Sequence, residues 1–169
     1  PNSFDARQAW PHCPSIASIS DQGACGACWA VAAADSISDR LCIATNGTIR
    51  ERISVLDLLE CCGQGECTPW DSGCKGGIPL YAFEHYVKRG LVTERCKPYP
   101  IAPCPRSPVS GRREVCFMTT PALYQLSPRC REVCTNTNHN KTYLASKYYG
   151  LRNYYFPPNS TLIQVIIRF

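Results

Sequence analysis

Between Cys28 and Leu41 the chain reads Cys-Trp-Ala-Val-Ala-Ala-Ala-Asp-Ser-Ile-Ser-Asp-Arg-Leu. Its alanine-rich centre combines high helix propensity with small side chains, which predicts a helix packed on several sides. Ahead of it the Gly-rich stretch from Ser20 to Ala27 predicts a loop. A second helix is signalled by Ser54-Val55-Leu56-Asp57, an N-cap with a carboxylate three residues on, followed by Leu58-Leu59-Glu60. A third is predicted from about Pro79 to Arg89. Proline stands in its first turn, Lys88-Arg89 in its last, and Gly90 is its stop. Residues Pro1 to Pro14 read as extended and irregular. From Cys96 to Pro128 the prolines Pro98, Pro100, Pro103, Pro105 and Pro108 break any period and predict a loop. A loop of that length is unusual inside a compact domain, but Cys96, Cys104 and Cys116 are available to staple it. Asn136 to Thr142 is polar and predicted at the surface, and Lys147 to Phe156 is aromatic and predicted as strand. Ser160 to Phe169 opens a further helix or strand, and no internal repeat is visible.

Composition narrows the class. Hydrophobic residues are 44% of the 169 and charged residues 18%, below the roughly 25% charged of an average soluble domain. Such a chain has apolar surface to bury and little charge to keep it expanded, so intrinsic disorder is excluded. No apolar run approaches the about 18 residues of a membrane span. The net charge of +5 is spread along the chain, without the basic stripe that would point to nucleic acid. Thirteen cysteines make about 8% of the chain, a density typical of disulfide scaffolds in oxidising compartments. The sequons at Asn46, Asn140 and Asn159 point to the same compartment. Pro1, with no initiator Met or apolar leader, is read as a processed terminus. Because the cysteine count is odd, one thiol stays free or pairs outside the chain.

The stretch with most chemistry in it is Gln22-Gly23-Ala24-Cys25-Gly26-Ala27-Cys28-Trp29. A thiol in the first turn of a helix faces unpaired backbone N–H groups and the positive end of the helix dipole, a setting that stabilises negative charge on sulfur. The same N–H groups, with the amide of Gln22, are placed to stabilise an oxyanion on an attacked carbonyl. Cys28 is therefore the expected nucleophile and Gln22 the oxyanion donor. Two other readings compete. Cys25 and Cys28 would make a redox pair of the thioredoxin kind, although there the aromatic residue precedes the first cysteine and here Trp29 follows the second. Alternatively they would form half of a zinc site with Cys130 and Cys134, or with Cys61 and Cys62, at spacings less regular than such sites use.

Cys25-Gly26-Ala27-Cys28-Trp29 matches the nucleophile signature of papain-like cysteine peptidases. From its first residues the chain resembles that superfamily, and within it the cathepsin B-like group. Pro1-Asn2-Ser3-Phe4-Asp5-Ala6-Arg7, Ser38-Asp39-Arg40, Asp57-Leu58-Leu59, Cys61-Cys62-Gly63, Gly73-Cys74-Lys75-Gly76-Gly77, Gly90-Leu91-Val92 and Pro98-Tyr99 fall in that group's order. The resemblance covers nearly the whole chain. It implies a papain-like α+β fold of two domains. Residues 13–147 would form the helical left domain around the Cys28 helix, with an occluding-like loop at 104–116. Residues 1–12 and 148–169 would begin a β-rich right domain largely outside this chain. It also implies the pairs Cys13–Cys42, Cys25–Cys74, Cys61–Cys130, Cys62–Cys67, Cys96–Cys134 and Cys104–Cys116, which leave Cys28 free. The backbone at Gly76-Gly77 would pair with an extended substrate, with Gly26 and Trp29 completing the binding surface. A residue without Cβ allows that close approach.

The activity so implied is peptide-bond hydrolysis through a thioester on Cys28, without metal or cofactor. The implied partners are polypeptide substrates, the enzyme's own propeptide and protein inhibitors of cysteine peptidases, in a lysosomal or secreted setting. The sequence also departs from the family's pattern. The family's base histidine and orienting asparagine lie about 130–150 residues beyond the nucleophile, and no histidine follows His139. His139 sits in a polar stretch without the family's flanking glycines and reads as a solvated surface residue; His12 and His85 read as ordinary surface or helix-face residues. The chain is accordingly expected to be the N-terminal portion of an enzyme, inactive alone, with a non-catalytic disulfide-rich binding or decoy protein as the rival reading. The loop 104–116 carries Arg106-Ser107 where the group's paired histidines would sit. Arg106, Arg112 or Arg113 would hold a substrate carboxylate there, or would be solvated loop arginines; endopeptidase action is the firmer expectation. The residues between Cys67 and Cys74, Trp70 among them, resemble an insertion with no functional assignment.

Overall fold

A computed structural model describes residues 3–62, 66–68, 73–105 and 130–154. The expectations for Trp70, Arg106, Arg112, Arg113, Cys116, Asn159, the rest of loop 104–116 beyond Pro105, and the segment from Tyr155 onward lie outside the described residues.

The elements run α1 (Ala6–Ala9), a 3-10 turn (Pro14–Ala17), α2 (Cys28–Ala44), α3 (Val55–Cys61), α4 (Pro79–Arg89), β1 (Leu91–Val92), a second 3-10 turn (Leu144–Ser146) and β2 (Lys147–Tyr148). Helix α2 is the centre, packed against α3, α4 and the first 3-10 turn. Its buried positions Trp29, Ala30, Ala33, Ala34, Ile37, Ser38 and Cys42 recur at helical spacing and form one stripe. Three of the seven are alanines, so the neighbouring helices approach its backbone closely. Ile53, Leu58 and Leu59 from the α3 side and Ala82 and Tyr86 from α4 close the core over it. No described helix is long and apolar enough to cross a membrane.

Local chemistry explains the boundaries. The Ser54 hydroxyl accepts the Asp57 N–H at 3.0 Å and donates to the Lys97 carbonyl at 2.7 Å, so one cap starts α3 and ties it to a distant loop. Pro79 opens α4, and Gly90 closes it at φ +70, where an added Cβ would stand 2.6 Å from the Tyr149 ring. Leu91 pairs with Tyr148 and Val92 with Lys147 in a two-stranded antiparallel ribbon. Bridges join Cys13–Cys42, Cys25–Cys74, Cys61–Cys130, Cys62–Cys67 and Cys96–Cys134. Cys104 is also disulfide-bonded.

Beneath the return of the long loop lies a buried ionic cluster. Lys97, wholly buried, sits 3.0 Å from Asp57 and 2.7 Å from Glu60. The Tyr143 hydroxyl donates to Asp57 at 2.9 Å, and Arg131 reaches Glu60 at 2.9 Å. The second oxygen of Asp57 accepts the Val92 N–H at 3.2 Å. The two buried carboxylates are balanced by the buried Lys97 and, from the exposed rim, by Arg131, the kind of pairing under which charge is tolerated away from water.

Four expectations are corrected. The N-terminal stretch is not wholly irregular: Asp5 accepts the Arg7 N–H at 2.9 Å and caps α1. The strand predicted over Lys147 to Phe156 is only two residues long within the described region, because β1 offers two residues to pair with. The chain then turns back onto α4, where the Gly150 N–H donates to the Tyr86 carbonyl at 3.3 Å. Of the two readings for His85, the helix face holds and the surface does not: it lies on α4 and is buried, with Nδ1 3.0 Å from Glu66. His139 is half-buried, its Nε2 2.7 Å from the Ser146 hydroxyl, rather than fully solvated.

Candidate active site

Cys28 is the first residue of α2 and is exposed. Among the described cysteines it alone is unbridged. Ala27, the N-cap, supplies no side-chain hydrogen bond, so the first N–H groups of the helix keep no capping partner from that residue. A 17-residue helix aims its positive end at this mouth. The Cys25–Cys74 bridge removes Cys25 as a redox or zinc partner for Cys28. Among the described residues two other sites bring ligand-type atoms together: Cys96 and Cys134 with His139, and Cys62 with Glu66 and His85. In each the cysteines are already joined in disulfides, which offer no thiolate to a metal.

The loop and the Gly73-to-Gly77 segment form one frame around the thiol. The Gly26 N–H donates to the Cys74 carbonyl at 2.9 Å, and Gly26 bridges Lys75 in parallel. A Cβ on Gly26 would stand 2.4 Å from that carbonyl. Trp29 is buried, and its indole N–H donates to the Gly73 carbonyl at 2.9 Å. Gly77 lies flat on the same indole, where a Cβ would come within 2.5 Å of the ring. Gly76 differs: nothing lies within 4 Å of its added Cβ, but its φ of +103 is a conformation L side chains rarely adopt. The structure thus brings Gly26, Trp29, Gly76 and Gly77 together beside the mouth of α2.

Gln22 stands on the other side of the loop. Its carbonyl accepts the Tyr99 hydroxyl at 2.7 Å, and its side-chain Oε1 is buried without a hydrogen-bond partner among the described residues. Tyr99 in turn donates its N–H to Glu94 at 2.6 Å. Burial first, and the Glu94 charge second, hold the Tyr99 hydroxyl protonated well above the usual tyrosine range. Burial pushes the Glu94 carboxyl up as well. Sequence reading placed Pro98-Tyr99 in family order but gave Tyr99 no role, since nothing local marks a contact with Gln22.

The sequons sit away from this frame. Asn46 is exposed at φ +48 in the turn that ends α2, and Asn140 is exposed before the second 3-10 turn. At 1.5 Å rise per residue, the 17 residues of α2 separate Asn46 from Cys28 by about 25 Å.

Comparison with known proteins agrees with the fold. The family profile described as papain family cysteine protease matches residues 1–158. Cathepsin B-like cysteine proteinase 5 of Caenorhabditis elegans is 45% identical over 163 residues, spanning 91% of this chain and 45% of that protein. Cathepsin B-like cysteine proteinase 4 of the same organism is 41% identical over 161 residues, again 91% and 45%. Among solved structures, procathepsin B S9 from Trypanosoma congolense superposes with a TM-score of 0.65 at 38% identity, over 89% of this chain and 42% of that one. The chain spans less than half the length of these relatives.

Proposed function

The chain belongs to the papain family of cysteine proteases, in its cathepsin B-like group, and from that premise we propose that the protein carrying it hydrolyses peptide bonds with Cys28 as nucleophile. The Cys28 thiolate adds to the carbonyl carbon of the scissile bond, and the negative charge passes to the carbonyl oxygen. The side-chain amide of Gln22 and the free N–H groups at the mouth of α2 donate to that oxyanion. Collapse expels the amine, which takes up a proton, and leaves an acyl thioester on Cys28; water then hydrolyses the thioester and frees the thiol. Gly76 and Gly77 offer backbone to an extended substrate, with Gly26 and Trp29 completing the surface. The histidine base and its orienting asparagine are assigned to the portion of its relatives' length that this chain does not span; His139 is engaged with Ser146. We assign endopeptidase action, a lysosomal or secreted setting, and the propeptide and protein inhibitors as partners. Asn46 and Asn140 are proposed as glycan acceptors, to be read as a mass shift on treatment with a peptide N-glycosidase.

One observation carries this reading: an exposed, unbridged thiol at a helix N-terminus in a chain whose other described cysteines are bridged. The test is turnover of an internally quenched peptide, blocked at both ends, by the full-length protein. Cleavage that disappears in Cys28→Ala is expected. No cleavage by the processed full-length protein would leave the binding or decoy reading standing.

A further inference from the structure

The Gln22 loop is held by a contact that no motif marks. The Gln22 carbonyl and the Gly23 N–H belong to one peptide unit, and that unit is planar. Its oxygen accepts the Tyr99 hydroxyl at 2.7 Å, while its N–H donates to Asp21 Oδ1 at 2.8 Å. Holding both ends of a plane fixes its rotation, and with it the backbone torsion at Gln22 from which the side chain departs. The next residue is equally confined. Gly23 has φ +60, and a Cβ there would lie 2.4 Å from the Ala102 carbonyl and 2.6 Å from the Ile101 side chain. Segment 99–102 therefore abuts the loop backbone to backbone. Tyr99 itself is anchored from behind, by its N–H to Glu94 and by the Glu94 N–H to the Arg52 carbonyl at 2.7 Å.

We propose that Tyr99 is a positioning residue for the oxyanion donor, its hydroxyl setting the peptide plane that aims Gln22. The proposal rests on the assignment of Cys28 and Gln22 made above. Burial holds the hydroxyl in its protonated form, so the donor persists across the working pH range. A positioning role separates from a merely structural one in two readouts. Alkylation of Cys28 by iodoacetamide is displacement at a saturated carbon and builds no oxyanion, whereas peptide hydrolysis does.

The experiment uses the full-length protein, with turnover normalised to titrated Cys28 so that unfolded molecules do not count. Tyr99→Phe is expected to lower kcat about threefold to tenfold, the effect of one ordinary hydrogen bond, with KM and the iodoacetamide rate unchanged. In a Gln22→Ala background, Tyr99→Phe is expected to change kcat no further, since the donor it aims is gone. Equal loss of turnover and of iodoacetamide alkylation would overturn the proposal, as would the same loss in the Gln22→Ala background. Gln22→Ala with unchanged kcat has a different signature: it would overturn the oxyanion assignment itself, and Tyr99's role with it.

Discussion

The mouth of α2 and the cluster below α3 use polar groups in opposite ways. At the mouth the fixed parts are backbone: the Gly26 N–H on Cys74, the Gly77 contact with Trp29, and the Gln22–Gly23 peptide held at both ends. The side chain with chemistry, Cys28, is left exposed and unbonded to another sulfur. Below α3 the side chains themselves are consumed. Lys97, Asp57, Glu60, Arg131 and Tyr143 satisfy one another, and Lys97 has no exposed surface. Holding a site through its backbone leaves a reactive group free to act. Holding a fold through mutually satisfied charges leaves none over. The two regions are nonetheless joined, since segment 96–102 carries Lys97 into the cluster and Tyr99 to the Gln22 loop.

The largest effect is expected where that comparison is broken at the cluster. Lys97→Met leaves Asp57 and Glu60 buried without their shared cation and should cost about 3–5 kcal/mol in denaturant unfolding with disulfides intact. A cost below about 1 kcal/mol would mean that the cluster does not hold the fold as described. Next comes the mouth. Gly77→Ala pushes a methyl group into the Trp29 ring, a clash with the buried indole expected to cost about 1–3 kcal/mol and to slow alkylation of Cys28. Unchanged alkylation and stability would show that the frame does not set the thiol.

The smallest effect is a pH dependence at the rim of α4. Burial pushes the Glu66 carboxyl up, but the His85 hydrogen bond and the Arg89 and His85 charges outweigh it and hold Glu66 below the usual carboxylate range. A depressed carboxylate contributes stability that is complete above its unfolded value of about 4.5 and is lost as pH falls through the folded one. Glu66→Gln should therefore destabilise the protein slightly at neutral pH and flatten its loss of stability in acid, because Glu66 is nearly half exposed. Parallel acid unfolding curves for the two proteins would remove Glu66 from the account.

What could be read from the sequence was what lies close in the chain. Pro79 and Gly90 bound α4 as expected, Ser54 caps α3, and the cysteine at the start of α2 stands at a helix mouth. What was missed depends on partners far along the chain. Lys97, between Cys96 and Pro98, carries no local sign of burial, since its carboxylate partner Asp57 is 40 residues away. Tyr99 meets Gln22 across 77 residues. His85 sits on the apolar face of α4 beside Ala82 and Tyr86, yet its buried state depends on Glu66 from another loop. The over-long strand at Lys147 was an error of a different kind: aromatic residues favour strands, but strand length is set by the partner, and β1 has two residues. The cap at Asp5 is local, but the flanking prolines read as irregular chain and mask it.

The most direct measurement is non-reducing peptide mapping of the full-length protein after reaction with a peptidyl epoxide. The account predicts one equivalent of label on Cys28, none in Cys28→Ala, and the bridges at Cys25–Cys74 and elsewhere intact. Finding Cys28 itself in a disulfide, or the label on a different cysteine, would contradict it.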